Sequence, residues 1–233
     1  MKTFYRNFTH TFRRFFTASV LNIAGLAIAF ASFLVILTQV DYDRRYNRCY
    51  RHCDRIVRAE FYPNADWGWT LTLARPFAEL IGNSSPHVEA MAIIDGWSSV
   101  YPVEVDGHPY QLPVRGGFGN YLQVFAPDML AGSTEALLED RQVLIPASMA
   151  RQLFGTVDAV GKTIYKDRQA DNNPYYVGGV YRDFPANCTL GNPLFYRFDK
   201  HLNQDNWSDW NYHSYYLLDR PDAAGEVRQT AFG

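Results

Sequence analysis

A long uncharged stretch dominates the hydrophobic pattern near the start of the chain. Residues 15–40 form 26 consecutive positions without a charge, and residues 20–37 among them are mostly Leu, Ile, Val, Phe and Ala. As a helix this stretch reaches roughly 39 Å, whereas the hydrocarbon layer of a membrane measures roughly 30 Å. We therefore predict a transmembrane helix over residues 15–40. The alternatives are a cleaved signal peptide, whose apolar core is usually shorter, and a buried helix of a soluble protein.

The charges on either side of this stretch differ in sign. The first 40 residues contain four charged side chains, all of them basic: Lys2, Arg6, Arg13 and Arg14. The remaining 193 residues carry 18 basic and 24 acidic side chains, a net charge of −6. Since basic residues are retained on the cytoplasmic side of a membrane, we predict a cytoplasmic N-terminus and an extracytoplasmic domain over residues 41–233.

The residues before the predicted span combine aromatic and basic side chains at helical spacing. Four phenylalanines recur every three or four residues, at Phe4, Phe8, Phe12 and Phe15. This pattern predicts a cytoplasmic amphipathic segment over residues 1–14 that lies in the inner membrane interface. The alternative is a plain cytoplasmic extension of the span.

Four small or polar residues share one face of the predicted span. They are spaced three or four positions apart and comprise Asn22, Gly25, Ala29 and Ser32. Small residues let helix backbones approach closely, and an amide in lipid gains from a partner on the neighbouring helix. We therefore predict that this face packs against a second transmembrane helix.

The pattern after the span changes between strand and helix periods. Tyr42, Tyr46 and Tyr50 lie four residues apart, which predicts that the membrane helix continues a few turns into solvent with its tyrosines at the outer interface. Further helices are predicted over residues 70–81 and from Pro146 to Gly155. Strands are predicted over residues 55–62, 88–94, 99–106, 142–145, 162–166, 175–181 and 212–218.

Turn residues divide these predicted elements. Asp106-Gly107 is the strongest hairpin signal in the chain. The glycine-rich residues 115–119 predict a compact loop, and residues 167–174 predict a polar turn. A last helix is predicted to begin at residues 221–224. The predicted fold class is α+β, with an N-terminal transmembrane helix followed by a mixed α/β domain.

One segment has the composition of a phosphate-binding loop but not its spacing. Five residues separate Gly155 from Gly161-Lys162-Thr163, whereas a P-loop has four at this place, with a strand before it and a helix after it. Here a helix is predicted before the segment and a strand after it. We therefore predict no nucleotide or other cofactor site in this chain.

The three cysteines do not complete a metal site in the sequence. Cys49, His52 and Cys53 could supply half of one, but a structural zinc site takes four ligands and no second pair is present. We therefore predict no metal centre. Either the thiols are structural, or a disulfide involves Cys188; a bridge between Cys49 and Cys53 within one helical turn would be strained.

The sequence offers few groups for catalysis. His213 near Asp209 could form a base with an orienting carboxylate, although a single histidine on an aromatic strand is more often simply packed. The chain also lacks a Gly-x-Ser-x-Gly nucleophile motif, and its acidic, aromatic outer region has no basic stripe for nucleic acid. We predict no catalytic residue, no enzymatic activity and no nucleic-acid partner.

Several segments together resemble the permease subunits of ABC transporters of the MacB/FtsX/LolE type. The first set is residues 22–29 in the span, followed by residues 46–48 and 54–58. The more specific set is residues 120–125, 143–145, 153–155, 159–162 and 176–180, with Gly132, Ala150, Asp183, Pro185, Asn187 and Leu190, in the order and approximate spacing of the family. Asn47, Cys49, Pro146 and Cys188 depart from the family pattern.

The resemblance implies a permease of the bacterial inner membrane. Its periplasmic core domain would comprise a porter-like part and an inserted β-rich part. A separate cytoplasmic ATP-binding subunit would drive it, a second permease copy or related chain would complete the membrane unit, and the outer domain would act on a substrate or periplasmic partner protein. Three further spans would follow, so we expect an N-terminal fragment with a core domain incomplete at its C-terminal end. The alternative is a single-pass extracytoplasmic binding or sensor protein.

Overall fold

The computed structural model describes residues 12–62, 68–166 and 174–232, together with Arg6, His10 and Asp66. The chain divides into two units, Met1–Tyr46 and Asn47–Gly233. Phe4 and Phe8 of the predicted amphipathic segment, and most of the polar turn predicted at 167–174, lie outside the described residues.

The first unit consists mainly of one long helix, α1 (Phe16–Arg44). It has 29 residues, and its most apolar window of 18 residues has a mean hydropathy of 2.5 and is not buried. By length and composition it can cross a membrane. The predicted extension of the helix by several turns is wrong. The helix ends at Arg44, and Asn47 adopts a left-handed backbone with φ of 59°.

The second unit is built on a mixed sheet, in which the described residues form ten strands. The strands are β1 (Ile56–Arg58), β2 (Val88–Asp95), β3 (Ser99–Val105), β4 (His108–Gly117), β5 (Met129–Gly132), β6 (Gln142–Pro146), β7 (Thr163–Ile164), β8 (Tyr175–Tyr181), β9 (Leu194–Arg197) and β10 (Tyr212–Leu218). In space they follow the order β1-β10-β2-β4-β9-β6-β8-β5, with β3 paired to β4 and β7 paired to β8.

Among the described strands, the pairing is antiparallel except at two places. β4 runs parallel to β9, and β6 runs parallel to β8. The hairpin predicted at Asp106-Gly107 is confirmed: it joins β3 to β4 in a seven-pair ladder from Ser99↔Val114 to Val105↔His108. Both turn residues have positive φ, at 50° and 77°, as a tight hairpin turn of this kind requires.

Short helices flank the sheet. They are α2 (Arg75–Asn83), α3 (Leu122–Phe125), a 3₁₀ turn (Thr134–Leu138), α4 (Ala147–Phe154) and α5 (Ala224–Phe232). α4 begins directly after Pro146, where the Asp183 carboxylate accepts a hydrogen bond from the Ser148 backbone N–H at 3.0 Å. It ends at Gly155, whose φ of 71° terminates the helix. The segment that looked like a P-loop is therefore a helix end followed by β7.

Two adjacent glycines continue a strand where a loop was predicted. Residues 115–117 belong to β4, so the compact loop predicted at 115–119 is wrong there. A Cβ on Gly116 would collide with the ring of Phe198, and one on Gly117 would lie 2.5 Å from Cδ1 of Tyr121. The two positions lack side chains because aromatic rings occupy the space beside the strand.

Replacing Gly117 with alanine should therefore destabilise the second unit, Asn47–Gly233. We call this unit the outer domain, after the location predicted for it from the sequence. The Tyr121 ring cannot move aside, because it is fully buried and its hydroxyl donates to the carbonyls of Arg115 and Tyr196 at 3.1 and 3.0 Å. We expect Gly117→Ala to lower the free energy of unfolding by about 1–3 kcal/mol. Chemical denaturation of the detergent-solubilised chain measures this.

Gly225→Ala is the matched control for this variant. Gly225 lies in α5, and a Cβ there would meet nothing within 4 Å. Alanine should be neutral there or stabilise the helix by up to about 1 kcal/mol. Equal stability of the Gly117→Ala variant and the unchanged protein would show that the aromatic packing does not require the glycine.

Candidate functional site

The candidate functional site is the stretch of the second unit that follows the apolar helix α1 in sequence. We call residues 47–58 the junction segment. After α1 the chain makes consecutive turns up to Arg55 and then enters β1. Any movement passed along the chain from α1 reaches the outer domain first at this segment.

Asn47 forms the first attachment of the junction segment. Its backbone N–H donates to the carbonyl of Asn187 at 2.9 Å. Its side-chain amide donates to Oγ1 of Thr189 at 2.8 Å and accepts from the Thr189 backbone N–H at 2.7 Å. Asparagine tolerates the left-handed backbone at this position better than most residues do. The helix ends at Arg44, and the chain turns at Asn47, where it is hydrogen-bonded to the loop at 187–190.

Tyr50 forms the second attachment and is 5% exposed. Its hydroxyl oxygen accepts hydrogen bonds from the Leu190 backbone N–H at 3.2 Å and from the Cys188 thiol at 2.8 Å. Its ring packs against Phe125 and Phe184 with centroids 5.1 and 5.6 Å apart. Burial, and next the neighbouring Cys188, raise the pKa of the Tyr50 hydroxyl well above its usual value. The prediction that Tyr50 lies on a helix at the membrane interface is wrong.

Arg55 links the beginning of the domain to the end of its last strand. Its Nη1 donates to the carbonyls of Leu218 and Asp219 at 2.8 and 3.3 Å and lies 3.0 Å from Oε2 of Glu89. The Leu218 N–H returns a hydrogen bond to the Arg55 carbonyl at 3.0 Å. β1 and β10 are antiparallel neighbours, so the end of β10 lies beside the start of β1.

An ionic cluster continues from this point to α5. His87 contacts Asp219 through Nδ1 at 2.9 Å and Glu226 through Nε2 at 3.1 Å, and Arg220 contacts Glu226 at 2.6 Å. The hydrogen bond from His87 lowers the pKa of Asp219, and that from Arg220 lowers the pKa of Glu226. These carboxylates are exposed, so the cluster orients the start of α5 more than it stabilises the domain.

Comparison with known families identifies this architecture. Residues 19–226 match the family described as the MacB-like periplasmic core domain. The chain belongs to this family. It is the family that the sequence resembled, and the mixed α/β fold predicted with it is confirmed. Membership also agrees with a membrane-anchored protein that has an extracytoplasmic domain, since α1 precedes the outer unit.

Two crystal structures share the fold of the MacB-like domain. A domain of a protein assigned as a permease from Porphyromonas gingivalis has a TM-score of 0.64 and 22% identity, covering 76% of this chain and 80% of that chain. The periplasmic region of MacB from Actinobacillus actinomycetemcomitans has a TM-score of 0.51 and 14% identity, covering 76% and 78%. At these identities the likeness shows the fold alone. No curated protein sequence matches the chain.

The predicted packing face is present as a stripe on α1. All four of its residues, Asn22, Gly25, Ala29 and Ser32, lie within the helix and are exposed. The Ser32 hydroxyl bonds the Ile28 carbonyl of its own helix at 2.9 Å. A Cβ on Gly25 would meet nothing within 4 Å. Packing of this face against another helix therefore stays a prediction.

The structure does not assemble the pair of groups considered for catalysis in the MacB-like domain. Asp209 bonds Asn203, Asn211 and Tyr212. Nδ1 of His213 is buried and has no hydrogen-bond partner among the described residues. Burial, and next the charge of Arg115, lower the pKa of His213. The described residues also contain no group of three His, Cys, Asp or Glu able to hold a metal ion.

Sequence reasoning did not identify the attachments made by Asn47, Tyr50 and Arg55. The signal available was weak: Asn47 departs from the family pattern, but nothing in the sequence names Thr189 as its partner. Apart from Glu89, their hydrogen-bond partners lie more than 130 residues away in the chain. Such contacts follow from the tertiary fold and not from local spacing.

The Asn47 attachment can be tested by a change that keeps the backbone conformation. Asn47→Gly accepts the left-handed φ but removes both side-chain hydrogen bonds, so we expect a loss of about 1–3 kcal/mol in the free energy of unfolding. A double-mutant cycle with Thr189→Ala should give a coupling of about 1 kcal/mol. Denaturation curves of the four proteins measure both quantities.

Asp106→Gly is the control, because Asp106 also has positive φ but lies in the exposed hairpin turn. It should leave the stability of the domain nearly unchanged. Additive effects of Asn47→Gly and Thr189→Ala would contradict the attachment.

The buried Tyr50 hydroxyl predicts a pH dependence of stability. Because its pKa is raised in the folded state, the unfolded chain loses this proton first as the pH rises. The contribution is complete below pH about 10 and declines above it, by at most about 1.4 kcal/mol per pH unit. In denaturation curves at pH about 9 to 11, Tyr50→Phe should start less stable and decline less steeply. The exposed Tyr176→Phe should follow the unchanged protein, and parallel declines for all three would contradict the prediction.

Proposed function

We propose that this chain is the permease subunit of an ABC transporter of the MacB/FtsX type. A separate cytoplasmic ATPase drives the cycle, and the permease transmits the resulting conformational change to its outer domain for export or regulation. The chain itself performs no chemistry. The N-terminal segment is cytoplasmic, residues 15–40 cross the bacterial inner membrane, and residues 41–233 form the periplasmic domain.

The hydrogen bonds that hold the junction segment are the observation that carries this proposal. Asn47 and Tyr50 hold it on the loop at 187–190, and Arg55 ties it to the end of β10. A shift of the incoming chain therefore acts on two parts of the domain that are distant in sequence. A flexible linker between anchor and domain would absorb such a shift, whereas this bonded segment passes it into the sheet.

The charge distribution supports the proposed orientation. The basic N-terminal arm favours the cytoplasmic side, and the acidic remainder is free to be translocated. Three partners follow from the proposal: the cytoplasmic ATP-binding subunit, a second permease copy or related permease chain in the lipid bilayer, and a periplasmic protein or substrate. The small-residue face of α1 is the proposed contact with a neighbouring transmembrane helix.

An apolar cleft favours the rival proposal of a single-pass binding or sensor protein. It has a volume of about 490 Å³ and lies between β1, α2 and α5. Its walls include Phe61, Phe77, Tyr216, Val227 and Phe232. Apolar clefts of this size can hold small ligands. In that case the domain would work without an ATPase.

Purification of the tagged chain from its native membrane separates the two proposals. The permease should retain an ATPase with a P-loop motif, and its junction variant Asn47→Gly should still bind the ATPase but lose at least several-fold of the transport or regulatory output per ATP hydrolysed. Two results together would overturn the permease proposal. The chain would purify without any ATPase, and its biological output would survive deletion of any ATPase gene that neighbours its own gene.

The packing face of α1 is tested by making the same change, alanine to leucine, on each of two opposite sides of the helix. Ala29→Leu enlarges the small-residue face, while Ala27→Leu adds the same volume about 160° away around the helix axis. Ala29→Leu should weaken association in the membrane by about 1–2 kcal/mol, and Ala27→Leu should have little effect. Cysteine cross-linking between tagged and untagged copies, or between the chain and its partner permease, measures the associated fraction. Equal effects of the two variants would exclude this face.

A further inference from the structure

Two of the three cysteines meet inside the outer domain. Cys188 is 6% exposed and belongs to the largest apolar cluster, and Cys49 packs against that cluster from the junction segment. The thiol of Cys188 donates to the hydroxyl of Tyr50, the residue that follows Cys49, at 2.8 Å, and it is near enough to Cys49 to affect that thiol electrostatically. Both thiols are free in the structure. They lie 139 positions apart in the sequence, so their contact is a product of the fold.

Residues next to the two cysteines in the sequence bring them to the same part of the domain. Before Cys49, Asn47 bonds the backbone of Asn187 and Thr189. After Cys49, Tyr50 accepts from the Leu190 N–H. Residues before and after Cys49 are thus hydrogen-bonded to residues before and after Cys188.

The third cysteine is less well placed for this partner. Cys53 also packs against the same cluster and lies close enough to influence Cys49 electrostatically. Burial is the main cause of the raised pKa of the Cys49 thiol, however, Cys188 is the next, and Cys53 contributes less than Cys188. A metal centre does not explain the three thiols, because no group able to hold a metal ion is found among the described residues.

We propose that Cys49 and Cys188 form a disulfide bond that fastens the junction segment to the core of the outer domain. The inference rests on the proposed extracytoplasmic location, where disulfides form and persist. The bond places the two sulfur atoms about 2.0 Å apart, so the two side chains must rotate towards each other to form it. When the disulfide forms, the Tyr50 hydroxyl loses the hydrogen bond from the Cys188 thiol but keeps the one from the Leu190 N–H.

The oxidant is a protein or small-molecule disulfide. The thiolate of one cysteine attacks this disulfide and forms a mixed disulfide while one oxidant sulfur leaves as a thiol. The second cysteine then attacks the mixed disulfide, the Cys49–Cys188 bond forms, and the second oxidant sulfur leaves as a thiol. The chain loses two protons and two electrons, and the oxidant gains them.

The exchange takes place during folding. In the folded domain, burial and next the contact with Cys188 raise the pKa of the Cys49 thiol to about 12. Few thiolates then exist at neutral pH, and the thiolate is the nucleophile. Cys188 is also shielded from any external disulfide. The bond therefore forms before the core closes and is afterwards protected from reduction by the same burial.

Peptide mapping of the full chain from its native membrane tests the bond. Free thiols are first blocked with N-ethylmaleimide in denaturant without a reductant, and trypsin is then added. Trypsin separates the three cysteines into peptides 49–51, 52–55 and 183–197. We expect 49–51 joined to 183–197, with 52–55 alkylated, and reduction should release the two joined peptides. Alkylation of both Cys49 and Cys188, or a link between 52–55 and 183–197, would overturn the proposal.

A second experiment tests the geometry without reference to the compartment. The reduced, detergent-solubilised full chain is refolded with glutathione disulfide and mapped in the same way. The unchanged protein and Cys53→Ser should both give the 49–51 to 183–197 link, and reduction should lower their melting temperature. Cys49→Ser should leave Cys188 alkylated. Failure of the link in both the unchanged protein and Cys53→Ser contradicts the proposal even if Cys49→Ser misfolds.

Failure of this inference can be distinguished from failure of the proposed function. An alkaline phosphatase fusion after residue 232 is active only outside the cytoplasm and reports the location of the outer domain. An active fusion together with unlinked cysteines overturns the disulfide and leaves the permease orientation intact. An inactive fusion together with a glutathione-formed link overturns the orientation and supports the pairing of Cys49 with Cys188.

Discussion

The pairing of β10 with two neighbours is the constraint on which the outer domain depends. On one side β10 forms a seven-residue antiparallel ladder with β2, and on the other it binds β1. Six of its seven residues are buried. A strand paired on both edges and covered on both faces must be almost wholly apolar, and the run Tyr-Tyr-Leu-Leu from Tyr215 to Leu218 meets this demand. The first and last strands of the domain are thereby neighbours.

This arrangement explains why the junction segment is held so firmly. Within the outer domain, the junction segment enters β1 beside the end of β10, and Arg55 bonds the end of that strand. On its other side the segment lies on the loop at 187–190, where Asn47 and Tyr50 bind. The proposed function requires that the MacB-like domain receives movement from the membrane. A flexible segment at this point would absorb the movement before it reached the sheet. Hydrogen bonds, aromatic packing and the proposed disulfide all act at this one segment.

Local chemistry made several elements of the fold predictable. β8 was predicted with the bounds that the structure has, because its aromatic and β-branched residues follow the polar turn predicted at 167–174. The hairpin at Asp106-Gly107 and the end of α4 at Gly155 depend on backbone conformations that a few residue types favour. The family could likewise be identified from short motifs, since their order along the chain is itself sequence information.

Other predictions failed where distant residues decide the outcome. Gly116 and Gly117 have the composition of a loop, but Phe198 and Tyr121 fill the space beside them and make them part of β4. Tyr50 has the spacing of a residue on the membrane helix, but its contacts with Leu190 and Phe184 draw it into the core. The contacts of the candidate site were predicted least well from the sequence, because its attachments join residues far apart in the chain.

The sequence by itself determined the long apolar helix, the division into a basic arm and an acidic domain, most local elements and the family. These features depend on apolar length, charge and turn chemistry within a few residues. Only the tertiary structure decided the order of the strands, the place of the junction segment and the meeting of Cys49 with Cys188. Each of these depends on which distant surfaces bury one another, and that choice is made by the packing of the whole domain.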